Sequence, residues 1–270
     1  MDRPVDPSSD PSGHLLPQGE KERVVLILSS FVAASAVGGG AQVVALAKRG
    51  VAAVLVPTVL YGRHPGLGAP GGGAVELAVF EGMLEGVEAD GVFARASAVI
   101  TGYFNTESQV AAVARTIDRV RAVNPGVRVI VDPIMGDAGK GLYVGEAVAV
   151  AIAADLVPRA DLVASNAWEL ERLTGDADPL AGARKLGRPV LVSSIDLGTQ
   201  IGVIYADGNE AWLAAHARVA GSVNGAGDLL TALFTAALLS GSAPREALEA
   251  AVSAVAESLA AWAVRIERLA

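Results

Sequence analysis

Short strand-like runs alternate with helical segments along nearly the whole chain, beginning at Arg23. The first two strands are predicted at residues 24–29 and 51–57, with a helix at 41–49 between them and a mobile glycine-rich loop at 58–73 after them. This alternation is typical of βαβ units, in which strands lie parallel and helices cover the sheet. Hydrophobic residues make up 52% of the chain and aromatic residues only 4%, so the core must consist mainly of Ala, Val and Leu. The sequence therefore predicts an α/β fold with a mostly parallel central sheet.

Two regions near the C-terminus complete the predicted architecture. Residues 201–205 and 210–213 flank Asp207-Gly208-Asn209, which indicates a β-hairpin, so one edge of the sheet is predicted to turn antiparallel. Two long helices, predicted at residues 227–239 and 245–269, close the chain.

The length of the chain fits one large domain. At 270 residues it can bury a sizeable core, and we predict a single domain over residues 23–270. Residues 1–22 are rich in Pro, Ser, Asp and Gly and are predicted to form a flexible N-terminal tail. This segment lacks the basic and apolar regions of a secretory signal, and no apolar stretch near the C-terminus reaches the roughly 20 residues of a membrane span.

Composition excludes several classes of function. The formal net charge is −8, whereas a nucleic-acid partner requires a basic surface. The chain has no cysteine, hence no disulfide, thiolate nucleophile or cysteine metal site, which fits a reducing compartment. The histidines are scattered, at His14, His64 and His216, which argues against a histidine-rich metal site. We therefore predict a cytoplasmic protein that binds neither nucleic acid nor a membrane.

A glycine-rich turn precedes the first of the two C-terminal helices and reads Asn224-Gly225-Ala226-Gly227-Asp228. Two glycines within three residues let the backbone approach a ligand closely, and the helix directs its free N–H groups and positive dipole end into the turn, which suits a phosphate. Asp228 places a carboxylate beside that position, where it can take the proton of an attacking hydroxyl. The alternative is an ordinary N-capping Asp after a glycine turn.

The carboxyl ends of three predicted strands carry polar residues, and ligands of open α/β sheets bind at that edge. These residues are Asp132 and Asp137, Asn166 and Glu169, and Ser193 with Ser194. Carboxylates there can hold Mg²⁺, directly or through its waters, while it bridges nucleotide phosphates. Taken alone, Asp132 is better explained by a turn before a proline, and Glu169 by an exposed first helical turn. Combined with the glycine turn, the set predicts phosphoryl transfer.

Three motifs together resemble those of the ribokinase-like superfamily, and most closely its pyridoxal kinase branch. They are Asp132-Pro133-Ile134-Met135-Gly136-Asp137, Asn166-Ala167-Trp168-Glu169 and Gly225-Ala226-Gly227-Asp228, in the same order and at similar spacing. The resemblance covers about residues 23–265. It implies a ribokinase-like three-layer α/β/α sandwich and a homodimer.

The resemblance also implies roles for the motif residues. In that superfamily the N-x-x-E motif positions Mg²⁺ and phosphate, and the G-x-G-D turn supplies an anion hole and the catalytic base. The implied base is Asp228, and the implied anion hole consists of Gly225, Ala226 and Gly227. The implied metal residues are Asp137 and Glu169. The implied ATP contacts are Asp132, Asn166, Ser193, Ser194 and Asn224.

The substrate side of the site follows from the same resemblance. Ser29-Ser30, at the end of the first strand, resembles the substrate-side serine of pyridoxal kinases, and Gly62-Arg63-His64-Pro65-Gly66 occupies the place of their substrate-side loop. The implied substrate contacts are Ser30, His64 and Asp228. The implied reaction is ATP-dependent phosphorylation of the hydroxymethyl group of pyridoxal, pyridoxine or pyridoxamine. ATP and Mg²⁺ are the implied cofactors, and K⁺ is a further candidate.

Three alternatives stay open. Sugar and nucleoside kinases of the superfamily also carry G-x-G-D, and Gly38-Gly39-Gly40 is similar to the N-terminal double glycine of the sugar kinases. Related hydroxymethylpyrimidine kinases usually have Cys where this chain has Asp228. A catalytically weak, B6-binding protein is the third alternative, because Phe31 and Pro65 stand where many pyridoxal kinases carry His and Thr.

Overall fold

The computed structural model describes residues 23–219, 224–259 and 264–269 of the protein. The predicted tail at residues 1–22 lies outside the described residues, and the extent of the predicted domain, residues 23–270, stays a prediction. None of the helices in the described part is long and apolar enough to cross a membrane.

Strands and helices alternate along the chain, and the strands of the described residues form two sheets. In chain order the strands are β1 (Val24–Val32), β2 (Ala52–Tyr61), β3 (Gly72–Ala74), β4 (Ala96–Thr101), β5 (Arg128–Val131), β6 (Gly136–Asp137), β7 (Gly141–Leu142), β8 (Leu162–Asn166), β9 (Val190–Asp196), β10 (Gln200–Ala206), β11 (Ala211–Ala217) and β12 (Val264–Leu269). The main sheet has the spatial order β12-β11-β10-β9-β8-β5-β4-β1-β2-β3. Strands β6 and β7 pair with each other as a separate antiparallel hairpin.

The middle of the main sheet is parallel and both of its edges are antiparallel. The parallel strands are β2, β1, β4, β5, β8 and β9. On one side β10, β11 and β12 continue the sheet antiparallel, and on the other side β3 pairs antiparallel with β2. The mostly parallel central sheet and the hairpin between β10 and β11 are thereby confirmed, whereas the antiparallel edge at β3 was not predicted.

Helices cover both faces of the main sheet. They are α1 (Gly38–Ala47), α2 (Leu77–Ala89), α3 (Val92–Arg95), α4 (Glu107–Val123), α5 (Glu146–Ala151), α6 (Ala167–Thr174), α7 (Pro179–Leu186), α8 (Ala226–Leu239) and α9 (Pro244–Ser258). Helices α1, α8 and α9 share one hydrophobic core with the sheet, and buried residues of α2 to α7 share the core on the opposite face. The three-layer α/β/α arrangement is confirmed.

Alternation along the central strands supplies both cores. In β1, Val25 and Ile27 belong to the core shared with α1, α8 and α9, whereas Leu26 and Leu28 belong to the opposite core. Successive side chains of a strand point to opposite faces, so a strand covered on both sides must be apolar throughout. All four side chains are 0% exposed, and each such burial contributes about 1.5 to 3 kcal/mol to folding.

The predicted helix at residues 245–269 is wrong in its second half. Helix α9 ends at Ser258, and β12 pairs antiparallel with β11. The reason is visible in the sequence, since Val264-Arg265-Ile266-Glu267 alternates apolar and charged residues with the period of a strand.

The predicted loop at residues 58–73 is also shorter than expected. Strand β2 continues to Tyr61, and β3 begins at Gly72 and pairs back onto β2. Between them the chain forms a short 3₁₀ turn at Pro65–Leu67. The glycines and prolines therefore mark a hairpin connection at the edge of the sheet.

Candidate active site

A cleft of about 850 Å³ opens at the carboxyl ends of the parallel strands. Every residue predicted for the site lines this cleft. They are Ser30, His64, Asp132, Asp137, Asn166, Glu169, Ser193, Ser194, Asn224, Gly225, Ala226, Gly227 and Asp228. The structure thus brings together residues from six separate stretches of the sequence, while their individual roles stay predictions.

The glycine turn has one position that only glycine can fill. Gly225 precedes α8 with φ of +87°, and a Cβ atom on it would lie 2.2 Å from the carbonyl oxygen of Ala36. The turn is therefore packed tightly against the loop that leads into α1. Gly227 differs, because a Cβ atom there would meet no described part of the chain within 4 Å. Its lack of a side chain leaves room on the cleft side, where a ligand can approach the backbone.

The carboxylate of Asp228 is held by the start of a second helix. Its Oδ2 accepts a hydrogen bond from the amide of Gly38, the first residue of α1, at 2.8 Å. Its Oδ1 is buried and has no hydrogen-bond partner among the residues that the structure describes. Burial raises the pKa of Asp228 to about 6, and the Gly38 amide opposes that rise. One oxygen is thus anchored, while the other is available to accept a proton near neutral pH.

Gly38 is placed by a close contact with β1. It has φ of +62°, and a Cβ atom would lie 2.1 Å from the hydroxyl oxygen of Ser30. Glycine at this position lets the α1 amide reach Asp228 while Ser30 keeps its place in the cleft wall. The glycine run that resembled the double glycine of sugar kinases therefore serves to hold Asp228.

Asp132 is a second buried carboxyl group in the cleft wall. Its Oδ2 accepts a hydrogen bond from the hydroxyl of Thr231 at 2.9 Å. Burial raises its pKa well above the ordinary value, and the charges of Glu169 and Asp228 add to the rise. Ile134, two residues further on, has φ of +40°, a strained conformation for a β-branched residue. A simple turn before a proline therefore does not account for Asp132, since its carboxyl group is buried and hydrogen-bonded and Ile134 in the same turn is strained.

Glu169 and Asn166 form a capping box at the start of α6. The amide of Glu169 donates to Asn166 Oδ1 at 2.8 Å, and the amide of Asn166 donates to Glu169 Oε2 at 3.0 Å. Glu169 Oε1 also accepts from the amides of Met135 at 2.7 Å and Gly136 at 3.2 Å. Asn166 Nδ2 donates to the carbonyl oxygen of Gly136 at 2.8 Å. The pair therefore ties α6 to the segment after β5.

The alternative that Glu169 is an exposed first-turn residue is wrong, because its side chain is only 2% exposed. Burial raises the pKa of Glu169 to about 7, while the three backbone amides that donate to it oppose the rise. Capping is shown by the hydrogen bonds. A contact of Glu169 with a metal ion stays a prediction.

Substitution of Asn166 tests how much of this arrangement is structural. We expect Asn166→Ala to lower the free energy of unfolding by about 0.5 to 2 kcal/mol, because the cap of α6 is lost. Asn166→Ser keeps a capping oxygen and should recover most of this loss. Thermal unfolding of the free variants measures both effects. If Asn166→Ser matches the parent in both thermal midpoint and Mg·ADP affinity, Asn166 is a cap and not a nucleotide contact.

Asp137 lies in the small hairpin formed by β6 and β7, at the mouth of the cleft. The hydroxyl of Tyr143 hydrogen-bonds with Asp137, and the pKa of Tyr143 is raised by burial and by the charges of Asp137 and Glu169. The amide of Tyr143 donates to the carbonyl oxygen of Met135 at 2.7 Å, which anchors the hairpin to the segment after β5. Asp137 is therefore held close to Glu169.

His64 faces this hairpin from the other side of the cleft. Its Nδ1 accepts a hydrogen bond from the amide of Gly66 at 3.0 Å, so His64 caps the 3₁₀ turn. Burial and the charge of Lys140 lower its pKa, which favours the neutral ring with its proton on Nε2. Pro65 is the first residue of that turn, where proline fits because no amide hydrogen bond is needed there.

The other departure from pyridoxal kinases, Phe31, does not belong to the cleft-lining residues of the described part. Its ring is 40% exposed and lies close to Gly40 of α1. The identity of this residue therefore bears little on what the cleft binds.

The two serines in the middle of β9, Ser193 and Ser194, differ in their environment. Ser193 makes only a long hydrogen bond of 3.5 Å to the carbonyl oxygen of Ser165. Ser194 is exposed and has φ of +61°, beside an irregularity in the pairing of β9 with β10. Both line the cleft, so their predicted contact with ATP stays open to test.

Among the cleft residues that the sequence did not predict for the site are Tyr61, Tyr103 and Thr231, and the contact of Gly38 with Asp228 was not predicted either. Thr231 had a usable signal, because it follows Asp228 by three residues and so lies on the same face of α8. Tyr61 is the last residue of β2 and Tyr103 follows β4, and burial together with the neighbouring hydroxyl of Tyr61 raises the pKa of Tyr103 to about 12. This pairing depends on the fold, so the sequence carries no local sign of it.

Comparison with known proteins identifies the family. Residues 38–269 match a family model described as phosphomethylpyrimidine kinase. The chain belongs to this family. It is 36% identical over 249 residues to the pyridoxine/pyridoxal/pyridoxamine kinase of Bordetella avium, which covers 87% of this chain and 84% of the relative. It is 33% identical over 252 residues to pyridoxal kinase PdxY of Deinococcus radiodurans, which covers 86% of this chain and 85% of the relative.

Solved structures of the same branch share the fold. Pyridoxal kinase from Entamoeba histolytica superposes with a TM-score of 0.83 at 25% identity, covering 89% of this chain and 90% of that chain. Pyridoxal kinase from Leishmania donovani, solved in complex with ADP and pyridoxamine, gives a TM-score of 0.81 at 24% identity, covering 87% and 85%. The resemblance to the pyridoxal kinase branch of the ribokinase-like superfamily is confirmed.

Proposed function

We propose that this protein is an ATP-dependent kinase that phosphorylates the hydroxymethyl group of pyridoxal, pyridoxine or pyridoxamine. The observation that carries the proposal is the carboxylate of Asp228, whose unpaired Oδ1 belongs to the cleft wall beside the glycine turn. The carboxylate of an ordinary N-cap accepts a hydrogen bond from an amide of its own helix. The carboxylate of Asp228 instead accepts from the amide of Gly38, at the start of α1. The relatives that match over most of the chain are named as kinases of these compounds, which supports the substrate.

In the proposed reaction Asp228 acts as general base. It takes the proton of the substrate hydroxymethyl group as that oxygen attacks the γ-phosphorus of ATP. The new oxygen–phosphorus bond forms, the bond from the γ-phosphorus to the bridging oxygen breaks to release ADP, and the proton ends on Asp228. A pKa of about 6 suits this task, because the group is then ionised near neutral pH yet still basic. The amides of residues 225–227 and the dipole of α8 stabilise the developing charge.

Mg²⁺ is proposed to neutralise the phosphates of the nucleotide, with Asp137 and Glu169 as the residues that would hold it. The charges of Glu169 and Asp228 both raise the pKa of Asp132, so three carboxyl groups lie close together here, and a cation would favour their ionised forms. Among the residues that the structure describes, no group of three or more His, Cys, Asp or Glu could hold a metal by itself. This fits Mg²⁺, which commonly keeps waters and phosphate oxygens beside one or two carboxylates.

Hydroxymethylpyrimidine phosphorylation is the second candidate function, because the matching family model is described as phosphomethylpyrimidine kinase. Asp228 argues against it, since those kinases usually carry Cys at that position. The reading as a weak B6-binding protein loses support, because Phe31 lies beside α1 with its ring partly exposed and Pro65 fits its turn.

The substrate is tested by measuring ADP release from Mg·ATP against a panel of alcohols. The panel contains pyridoxal, pyridoxine, pyridoxamine, hydroxymethylpyrimidine, ribose and adenosine. We expect one of the three B6 compounds to give the highest kcat/KM. A clear preference for ribose or adenosine would overturn the proposed substrate but not the assignment as a kinase. Tight binding of a B6 compound without turnover of any alcohol would instead favour a binding protein.

Three further features are proposed on the family resemblance: a homodimer, a location in the cytoplasm, and a K⁺ ion that assists the reaction. The absence of cysteine from the chain agrees with a reducing compartment. Light scattering with size-exclusion chromatography tests the dimer, and replacement of K⁺ by Na⁺ in the ADP-release assay tests the cation.

A further inference from the structure

We propose that Thr231 is a positioning residue for the carboxylate of Asp132, and that its hydroxyl sets how tightly the cleft holds Mg·nucleotide. The inference rests on the proposed function, because it assumes that the acidic end of the cleft binds a nucleotide with its metal. It concerns a residue that none of the three sequence motifs contains.

The geometry connects the helix of the base to the acidic end of the cleft. Thr231 lies one turn after Asp228 on α8, so both side chains project from the same face of the helix. Thr231 Oγ1 donates to Asp132 Oδ2 at 2.9 Å, between residues 99 positions apart in the chain. One helix therefore places the proposed base and also holds the carboxylate that follows β5.

The hydrogen bond from Thr231 stabilises and orients the buried carboxylate of Asp132. Asp132 is 8% exposed and shares the region with the charges of Glu169 and Asp228, so little solvent screens it. Among the described residues Thr231 is the side chain that donates to this carboxylate, and the backbone amide of Ile134 also favours its ionised form. With Oδ2 held, the carboxylate cannot rotate freely, and the direction of its remaining lone pairs is set.

A buried carboxylate without its donor is both costly and poorly oriented. Groups that orient the surroundings of a metal ligand typically change metal affinity by 10- to 100-fold when they are removed. Asp132 can act in this way, because it lies close enough to the proposed metal residue Glu169 for that charge to raise its pKa. The hydroxyl of Thr231 should therefore matter for the metal-dependent part of nucleotide binding, and much less for the binding of metal-free ADP.

The chain offers a matched control on the same helix. Thr235 lies one turn further along α8, is 1% exposed compared with 2% for Thr231, and donates only to the carbonyl oxygen of Thr231. Thr231→Val and Thr235→Val therefore remove the same hydroxyl from similar surroundings, and only the first removes a donor to Asp132. Thr231→Ser keeps the donor and serves as the rescue variant.

The test is calorimetric titration of each purified variant with ADP, once in Mg²⁺ and once in EDTA, with thermal midpoints to show that every variant is folded. We expect Thr231→Val to weaken Mg·ADP binding by about 10-fold or more while changing metal-free ADP binding far less. Thr231→Ser and Thr235→Val should both bind Mg·ADP like the parent.

Equal Mg·ADP affinities for Thr231→Val and Thr235→Val would overturn the inference, as would an equal loss in Mg²⁺ and in EDTA. Failure of Thr231→Ser to recover binding would also count against it, because the methyl group would then be what matters. If the parent itself binds no Mg·ADP, the proposed function fails and not the assignment of Thr231 alone. The parent titration keeps these two failures apart.

Discussion

Replacement of Asp228 by asparagine is expected to lower kcat by about two to four orders of magnitude, the usual contribution of a positioned general base. Asparagine keeps the shape of the side chain and can still accept the hydrogen bond from Gly38, but it cannot take up the substrate proton. Nucleotide affinity should be kept or slightly improved, since a negative charge near the phosphates is removed. Steady-state kinetics with the best B6 substrate and titration with Mg·ADP measure both quantities.

The thermal midpoint of Asp228→Asn distinguishes a general base from a helix cap. Loss of a cap would lower the midpoint, whereas loss of a buried base should not. Because burial raises the folded-state pKa of Asp228 from 3.8 to about 6, the protonated form stabilises the fold. That contribution is fully present below the unfolded pKa and is lost as pH rises through about 6. Above this pH the ionised carboxylate destabilises the free protein, and asparagine does not. We therefore expect the thermal midpoint of Asp228→Asn at pH 8 to equal or exceed that of the parent.

The pH dependence of the parent provides an independent check. Activity should rise with pH as Asp228 loses its proton near pH 6 and then level off. Turnover of Asp228→Asn within a few-fold of the parent, with a lowered thermal midpoint, would show that Asp228 is a structural cap and that another group accepts the proton.

Local chemistry explains why so much of the site could be predicted. Asp132 follows β5, Asn166 ends β8 and Ser193 lies in β9 opposite Asn166, and they meet because these strands are parallel neighbours. Asp228 follows a glycine turn at a helix start, a combination that already suggests an anion site. For such residues the position along the chain determines the position in the fold, so their place in the cleft could be predicted from the sequence.

Contacts between distant segments could not be predicted in the same way. Gly38 and Asp228 are 190 residues apart, and nothing near either residue indicates that the amide of one will hold the carboxylate of the other. The depth of burial of Glu169 was missed for a similar reason, because Met135 and Gly136 reach it from the segment after β5. The strand β12 was missed although its alternating pattern was readable, since the long apolar helix before it suggested continuation.

A second large loss of activity is expected for Gly225→Ala, because the added methyl group causes both backbone strain and a steric clash. Alanine must adopt φ of +87°, which costs about 1 to 3 kcal/mol in strain. Its Cβ would also lie 2.2 Å from the carbonyl oxygen of Ala36, so the loop before Gly38 must move. Since that loop carries the amide that holds Asp228, we expect kcat/KM to fall by about 100-fold, as for small misplacements of reacting groups.

Gly227→Ala is the matched control, and the comparison separates the fit of the turn from its contact with a ligand. A Cβ atom on Gly227 meets no described part of the chain within 4 Å, and its backbone is not left-handed, so the thermal midpoint of the free protein should be unchanged. The new methyl group does narrow the approach to the proposed anion hole, so Mg·ADP binding should weaken although the fold is intact. Gly225→Ala should instead lower the thermal midpoint by roughly 2 to 4 °C for each kcal/mol lost.

If both variants unfold at the temperature of the parent, the contact between Gly225 and Ala36 does not hold the turn. If Gly227→Ala binds Mg·ADP like the parent, the phosphates do not lie at these amides.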